Sequence, residues 1–326
     1  MNSALPRVLV ISTEVPVVSI NLLRTKCNVI MIPAGSSREQ VLQALPGHDA
    51  ILLARDRCRL ANRHIVNTEF LNIAGPNLKV VLTMSAGYDH LDVPEIKRRG
   101  IKVGHTPVQS AAVAEIAVLL LLSAARRAHE SRMMVKEGNS KSGLQWLLGQ
   151  DLRGSTVGIF GLGNIGQETV KRLMGFGVKR FIYTGHSRKK AGDELGATFV
   201  SLDELLEQSD FLVITASLTN ETQGVFNDSV FDKMKKTAVL VNVSRGQIIN
   251  TDSLVRALRN KKIFAAGLDV TDPEPLPSEH ELLKLFNVEI MPHVGSATIK
   301  TFNDMSICAA QSILNGLEGK PLIYPL

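Results

Sequence analysis

The sequence predicts an α/β protein of two Rossmann-like, doubly wound parallel-sheet domains, and three observations carry that prediction. Short apolar runs alternate with helical patterns along almost the whole chain. The runs are near-continuous Val, Ile and Leu, as in strands covered on both faces. A glycine-rich turn, Gly161-Leu162-Gly163-Asn164-Ile165-Gly166, stands where one such run passes into a helical pattern.

In chain order, the expected strands are 8–11, 50–53, 80–84, 156–160, 181–183, 211–215, 238–242, 265–269 and 288–291. Apolar residues at helical spacing fill the gaps, as at 37–45, 165–174, 202–208 and 251–259. The most apolar stretch, 111–125, contains Glu115 and is too short to span a bilayer, so it is expected to be a buried helix. Residues 136–151 are rich in Gly, Ser and Gln with weak periodicity. They read as a long loop introducing a new nucleotide-binding unit at Thr156.

A chain of 326 residues is comfortable for two domains, and 44% hydrophobic with 21% charged residues is a globular balance. The net charge of +6 comes from Lys and Arg spread along the chain, with only 5% aromatics and one Trp. That argues against a nucleic-acid surface and suits an enzyme that binds phosphates and small carboxylates. Cys27, Cys58 and Cys308 are far apart and lack metal-binding spacing. Inert reduced thiols and a cytoplasmic setting are expected, with no metal and no membrane partner. The first residues read as a short polar lead into a strand, not a targeting segment.

Each glycine of the turn has a physical task. Gly161 permits the tight turn, Gly163 lets backbone approach a pyrophosphate, and Gly166 lets the helix lie close on the strand. Helix N-terminal N–H groups, including those of Leu162, Asn164 and Ile165, then face the phosphates. The next strand ends in Thr184, Gly185, His186, Ser187 and Arg188, where a site for NAD would place a carboxylate on the ribose. The next carboxylate is Asp193. A carboxylate would repel a 2′-phosphate, whereas His186, Ser187 and Arg188 can bind one, so NADPH/NADP is preferred with NADH possible.

Three later segments are Val241-Asn242-Val243-Ser244-Arg245-Gly246, Gly267 to Pro277, and Met291-Pro292-His293-Val294-Gly295-Ser296-Ala297-Thr298. With Thr83 to Leu91 and the glycine turn, they resemble the D-isomer-specific 2-hydroxyacid dehydrogenase family over about Leu78 to Gly319. The similarity is strongest to its glyoxylate/hydroxypyruvate reductase branch. The resemblance implies NADPH-preferring reduction of glyoxylate to glycolate and of hydroxypyruvate to D-glycerate, with Arg245, Glu274 and His293 as catalytic residues. A guanidinium can grip the substrate carboxylate, an imidazolium can protonate the keto oxygen, and a carboxylate can fix the imidazole. The resemblance further implies that Ala86 and Gly87 contact the substrate carboxylate through their backbone. Ser217, Val243, Asp269, His293 and Gly295 would contact cofactor, with Asp269 near the nicotinamide amide. Ser296 would touch substrate or cap the following helix. Trp146 would reach a partner subunit's substrate pocket or anchor a homodimer whose body is the helix around 114–124.

The family pattern also implies a discontinuous substrate domain, residues 1–104 with return segment 296–326, flanking a dinucleotide domain at 105–295. The active site would then lie in a cleft between them. Rival readings are another D-2-hydroxyacid dehydrogenase, such as one for 3-phosphoglycerate, and a dinucleotide-sensing corepressor-like binding protein. Glu274 stands where the superfamily's formate dehydrogenases carry glutamine. His186 stands where the branch would carry a second arginine, which weakens the expected phosphate discrimination.

Overall fold

The computed structural model describes residues 4–54, 65–139 and 145–326. Cys58 and part of the expected 136–151 loop lie outside the described residues. The chain divides into two compact units, Met1–Gln109 with Ser296–Leu326, and Ser110–Gly295.

The first unit holds strands β1 (Arg7–Ile11), β2 (Asn28–Ile32), β3 (Ala50–Ala54), β4 (Val80–Met84) and β5 (Lys102–Gly104). They form a parallel sheet in the order β2-β1-β3-β4-β5. Alternation puts Val8, Val10, Leu52 and Leu82 into one core and Leu9, Ile11, Ile51 and Val81 into the other. Helix Ile299–Leu317, from the end of the chain, returns to cover the first of these with Met305, Ala309, Ile313 and Leu314. This unit is therefore built from discontinuous sequence, its sheet from the first part of the chain and one covering helix from the last.

The second unit holds β6 (Thr156–Phe160), β7 (Arg180–Thr184), β8 (Ala197–Phe199), β9 (Phe211–Ile214), β10 (Val239–Asn242), β11 (Ala265–Leu268) and β12 (Val288–Ile290). Its order is β12-β11-β10-β9-β6-β7-β8, again all parallel. The chain winds outward from β6 to β8, then crosses back to β9 and winds the other way. This makes β6 and β9 the switch point, where open α/β sheets bind ligands beyond their strand C-termini. Val157, Ile159, Val213 and Val241 face one core, and Phe160, Ile214, Leu240 and Leu268 the other.

Helix Ser110–Ala125 is apolar nearly all round and buries eight residues, among them Val113, Ala117, Leu120 and Leu121. It lies against β10, β11 and helix Asn164–Leu173. Gly267 on β11 permits this approach, since a Cβ there would sit 2.9 Å from Leu120 Cβ. Among the described residues no helix is long and apolar enough to cross a membrane.

Every expected strand is present, but β2, β5 and β8 were not anticipated. All three are sheet edges. β5 (KVG) and β8 (ATF) offer no run of apolar residues, whereas β2 (NVIMI) does carry such a run and was nonetheless not among the expected strands.

Candidate active site

The glycine turn follows β6 directly. Gly161 has φ +98°, a left-handed conformation, and a Cβ there would meet Ala216 beyond β9 at 2.6 Å. Gly166 is equally confined: its Cβ would lie 2.7 Å from Gly161 O and 2.9 Å from Thr215 Oγ1. Gly163 is different. Nothing lies within 4 Å of a Cβ placed there, and it caps helix Asn164–Leu173 without a side-chain hydrogen bond. The helix therefore presents uncapped N–H groups, and its positive dipole end, to open space. That cradle fits a pyrophosphate.

β7 pairs with β6, so the basic turn Gly185, His186, Ser187 and Arg188 emerges beside the glycine turn. All four residues are exposed. Arg188 Nη2 lies 2.7 Å from Asp193 Oδ1, and this partner raises the guanidinium pKa. With both groups more than half exposed, the pair is weak and can yield to a stronger anion. The carboxylate absent from the end of β7 thus appears nine residues on, paired with the arginine.

Arg245, Glu274 and His293 follow the C-terminal ends of β10, β11 and β12, three neighbouring strands. Asn242, fully buried at the end of β10, shapes the first loop. Its Nδ2 donates to Arg245 O at 2.8 Å, and its Oδ1 accepts from Ser244 N at 3.0 Å. Ser244 also donates to Ala216 O, tying this loop to the one after β9. Gly246 is the next constraint, because a Cβ would collide with Thr271 O at 2.0 Å. Thr251 Oγ1 donates to Asp272 O at 2.6 Å from the same side. The loop carrying Arg245 therefore packs backbone to backbone against the loop that leads to Glu274.

Glu274 Oε1 lies 2.6 Å from His293 Nδ1. A carboxylate in that position accepts a hydrogen bond from Nδ1–H and leaves Nε2 on the far side of the ring. His293 has φ +56°, unusual for a residue with a side chain. Asp269, 1% exposed, supports this conformation: Oδ1 accepts from Val294 N at 2.7 Å and Oδ2 from Gly295 N at 2.9 Å. Sequence reasoning gave Asp269 only a cofactor contact. Its grip on the backbone after His293 was missed, as was the Asn242 clamp. An Asn at a strand end, two residues before a serine, was the available signal for the clamp. For Asp269 the sequence held none.

Val243 is buried and Ser217 exposed, each just past its strand. Trp146 is half-buried in a loop that Gln150 ties to Ala125 O at the end of helix Ser110–Ala125. In the other unit, Ala86 and Gly87 follow β4 and are half-buried. Ser296 is not the cap of helix Ile299–Leu317, because Thr298 takes that place and accepts from Thr301 N at 3.1 Å. Among the described residues no group of His, Cys, Asp and Glu is arranged to hold a metal. Cys27 and Cys308 are free, and burial raises both thiols, as suits inert side chains.

A parallel sheet with a phosphate cradle at its switch point and ionisable residues at the neighbouring strand ends defines a class, the dinucleotide-dependent α/β oxidoreductases. Residues 118–295 match the model of the D-isomer specific 2-hydroxyacid dehydrogenase NAD-binding domain. The chain is 53% identical over 260 residues to the glyoxylate reductase/hydroxypyruvate reductase of Homo sapiens, covering 79% of each. A glyoxylate reductase from Paecilomyes thermophila superposes with TM-score 0.88 at 28% identity, over 100% of this chain and 99% of that one. The NADPH-dependent glyoxylate/hydroxypyruvate reductase of Sinorhizobium meliloti, solved with NADP and malonate, gives 0.83 at 29%, over 99% and 97%. The chain belongs to the D-isomer specific 2-hydroxyacid dehydrogenase family.

Proposed function

We propose that the protein reduces glyoxylate to glycolate and hydroxypyruvate to D-glycerate, with NADPH preferred and NADH accepted, as a cytoplasmic homodimer. The observation that carries this reading is the His293–Glu274 contact at the strand ends beside Arg245. Similarity to reductases of these two keto acids supports the substrate choice. The dinucleotide, when bound, supplies the hydride. Gly161 to Gly166 would hold its pyrophosphate, Gly185 to Arg188 its 2′-phosphate, and Ser217, Val243, Asp269, His293 and Gly295 the rest.

The chain's own residues do the remainder. Arg245 grips the substrate carboxylate with a planar guanidinium and polarises the keto oxygen. His293 gives that oxygen a proton from Nε2, and Glu274 keeps the ring oriented and favours its charged form. Ala86 and Gly87 contact the carboxylate through backbone, and Ser296 touches substrate. Residues 1–104 and 296–326 serve as the substrate domain and 105–295 as the dinucleotide domain, with Trp146 contributing to the dimer.

Steady-state assays with both keto acids and both dinucleotides test this reading. Turnover of both acids, faster with NADPH at low concentration, is expected, and turnover of neither refutes the substrate assignment. In the same assay Arg188→Ala should weaken NADPH about tenfold while sparing NADH. Equal losses for the two would remove Arg188 from phosphate recognition.

A further inference from the structure

We infer that His105, together with a hydrogen-bonded chain from His90 through Thr83 to Ser85, positions the backbone of residues 86–88 to receive the substrate carboxylate. This rests on the function proposed above. Three successive carbonyls of the segment after β4 are each engaged from within their own unit. Ser85 O accepts from Thr106 N at 2.9 Å, Ala86 O from His105 Nδ1 at 2.8 Å, and Gly87 O from Ser85 Oγ at 2.6 Å. In a trans peptide the C=O and the following N–H point in opposite directions. The N–H groups of Ala86, Gly87 and Tyr88 are therefore turned away from those donors, three in a row. None of the three donates to a protein acceptor among the described residues. Consecutive outward N–H groups make a compact anion seat.

The hydrogen positions follow from which atoms can only accept. A carbonyl cannot donate, so His105 carries its hydrogen on Nδ1. The Ser85 hydrogen is committed to Gly87 O, so Ser85 Oγ accepts from Thr83 Oγ1 at 2.9 Å. The Thr83 hydrogen is then committed as well, and Thr83 accepts from His90 Nε2 at 3.0 Å. The chain runs one way, from His90 to Gly87 O, and each donor polarises the next. Thr83 is only 2% exposed, which keeps water from replacing it. The His105 ring stands edge-on between Tyr88 and Tyr324, with centroids 5.5 and 6.4 Å away, and its backbone N–H donates to Tyr324 O. Both devices fix carbonyls, and neither histidine needs to touch the substrate.

Two variants remove the hydrogen bonds while keeping the shapes: His105→Phe retains the ring, and Thr83→Val retains the branched side chain. Each should raise the KM of both keto acids about tenfold and weaken oxamate binding to the NADPH complex equally. Saturated kcat and NADPH affinity by fluorescence titration should stay unchanged. His105→Asn, whose amide can donate in place of Nδ1, should recover most of the loss. Unchanged KM and oxamate affinity with a lowered melting temperature would make the residues merely structural and overturn the inference. If neither keto acid turns over, the functional reading fails separately, and oxamate binding still decides: failure of the wild type to bind it overturns the inference too.

Discussion

His293 concentrates several constraints on one side chain. Its backbone is left-handed, its Nδ1 meets Glu274 Oε1 at 2.6 Å, and Asp269 holds the two residues after it. Such a conformation persists only where the surroundings over-determine it, and those surroundings come from the ends of β11 and β12. The imidazole is therefore oriented before any ligand arrives. On this account His293→Ala lowers kcat about 10²- to 10⁴-fold, the range for loss of a general acid. Glu274→Gln keeps a hydrogen-bonding group of the same size but removes the charge, so its loss is smaller, about tenfold to a hundredfold. Stopped-flow measurement of NADPH oxidation reads both. A His293→Ala variant with wild-type kcat would take the proton-donor role away from that residue.

At the scale of elements, the glycine turn separates packing from binding. Gly166 is closed in by Gly161 O, Thr215 and Ile159, whereas Gly163 faces open space. Gly166→Ala should cost about 1–3 kcal/mol through overpacking, read as a lower melting temperature. Gly163→Ala should leave melting much closer to wild type yet weaken dinucleotide binding, because its methyl group enters the phosphate cradle. Identical stability and binding changes in the two variants would contradict these roles. The turn was legible in sequence because strand, glycines and helix are contiguous. So were helices Leu202–Gln208 and Thr251–Arg259, whose bounds match the periodicity residue for residue. β5 (KVG) and β8 (ATF) were not, because neither contains a run of apolar residues; β2 (NVIMI) contains one that the expected strands left out.

Over the whole molecule, what sequence conveyed was mostly local chemistry. Arg245, Glu274 and His293 could be named from their motifs, but their assembly depends on β10, β11 and β12 being neighbours. That adjacency comes from sheet order, which no local pattern encodes. The grip of Asp269 on Val294 and Gly295 escaped for the same reason, because folding brings that backbone to it; the Asn242 clamp is local, reaching only Ser244 and Arg245. The expected interface helix, Ser110–Ala125, spends eight residues on its own unit's core and leaves Leu119 45% exposed. The homodimer proposal therefore asks more of the loop around Trp146 and of exposed Leu148 than of the helix alone. Light scattering on the purified protein should give the mass of two chains, and Trp146→Ala should shift it toward one. A single-chain mass for the wild type would rule the dimer out.

Stereospecific reduction of a 2-keto acid by this chain is tested most directly by chiral analysis of the product. Incubation with hydroxypyruvate and NADPH should yield D-glycerate, one molecule for each NADPH consumed. Absence of glycerate, or formation of the L isomer, would contradict the account.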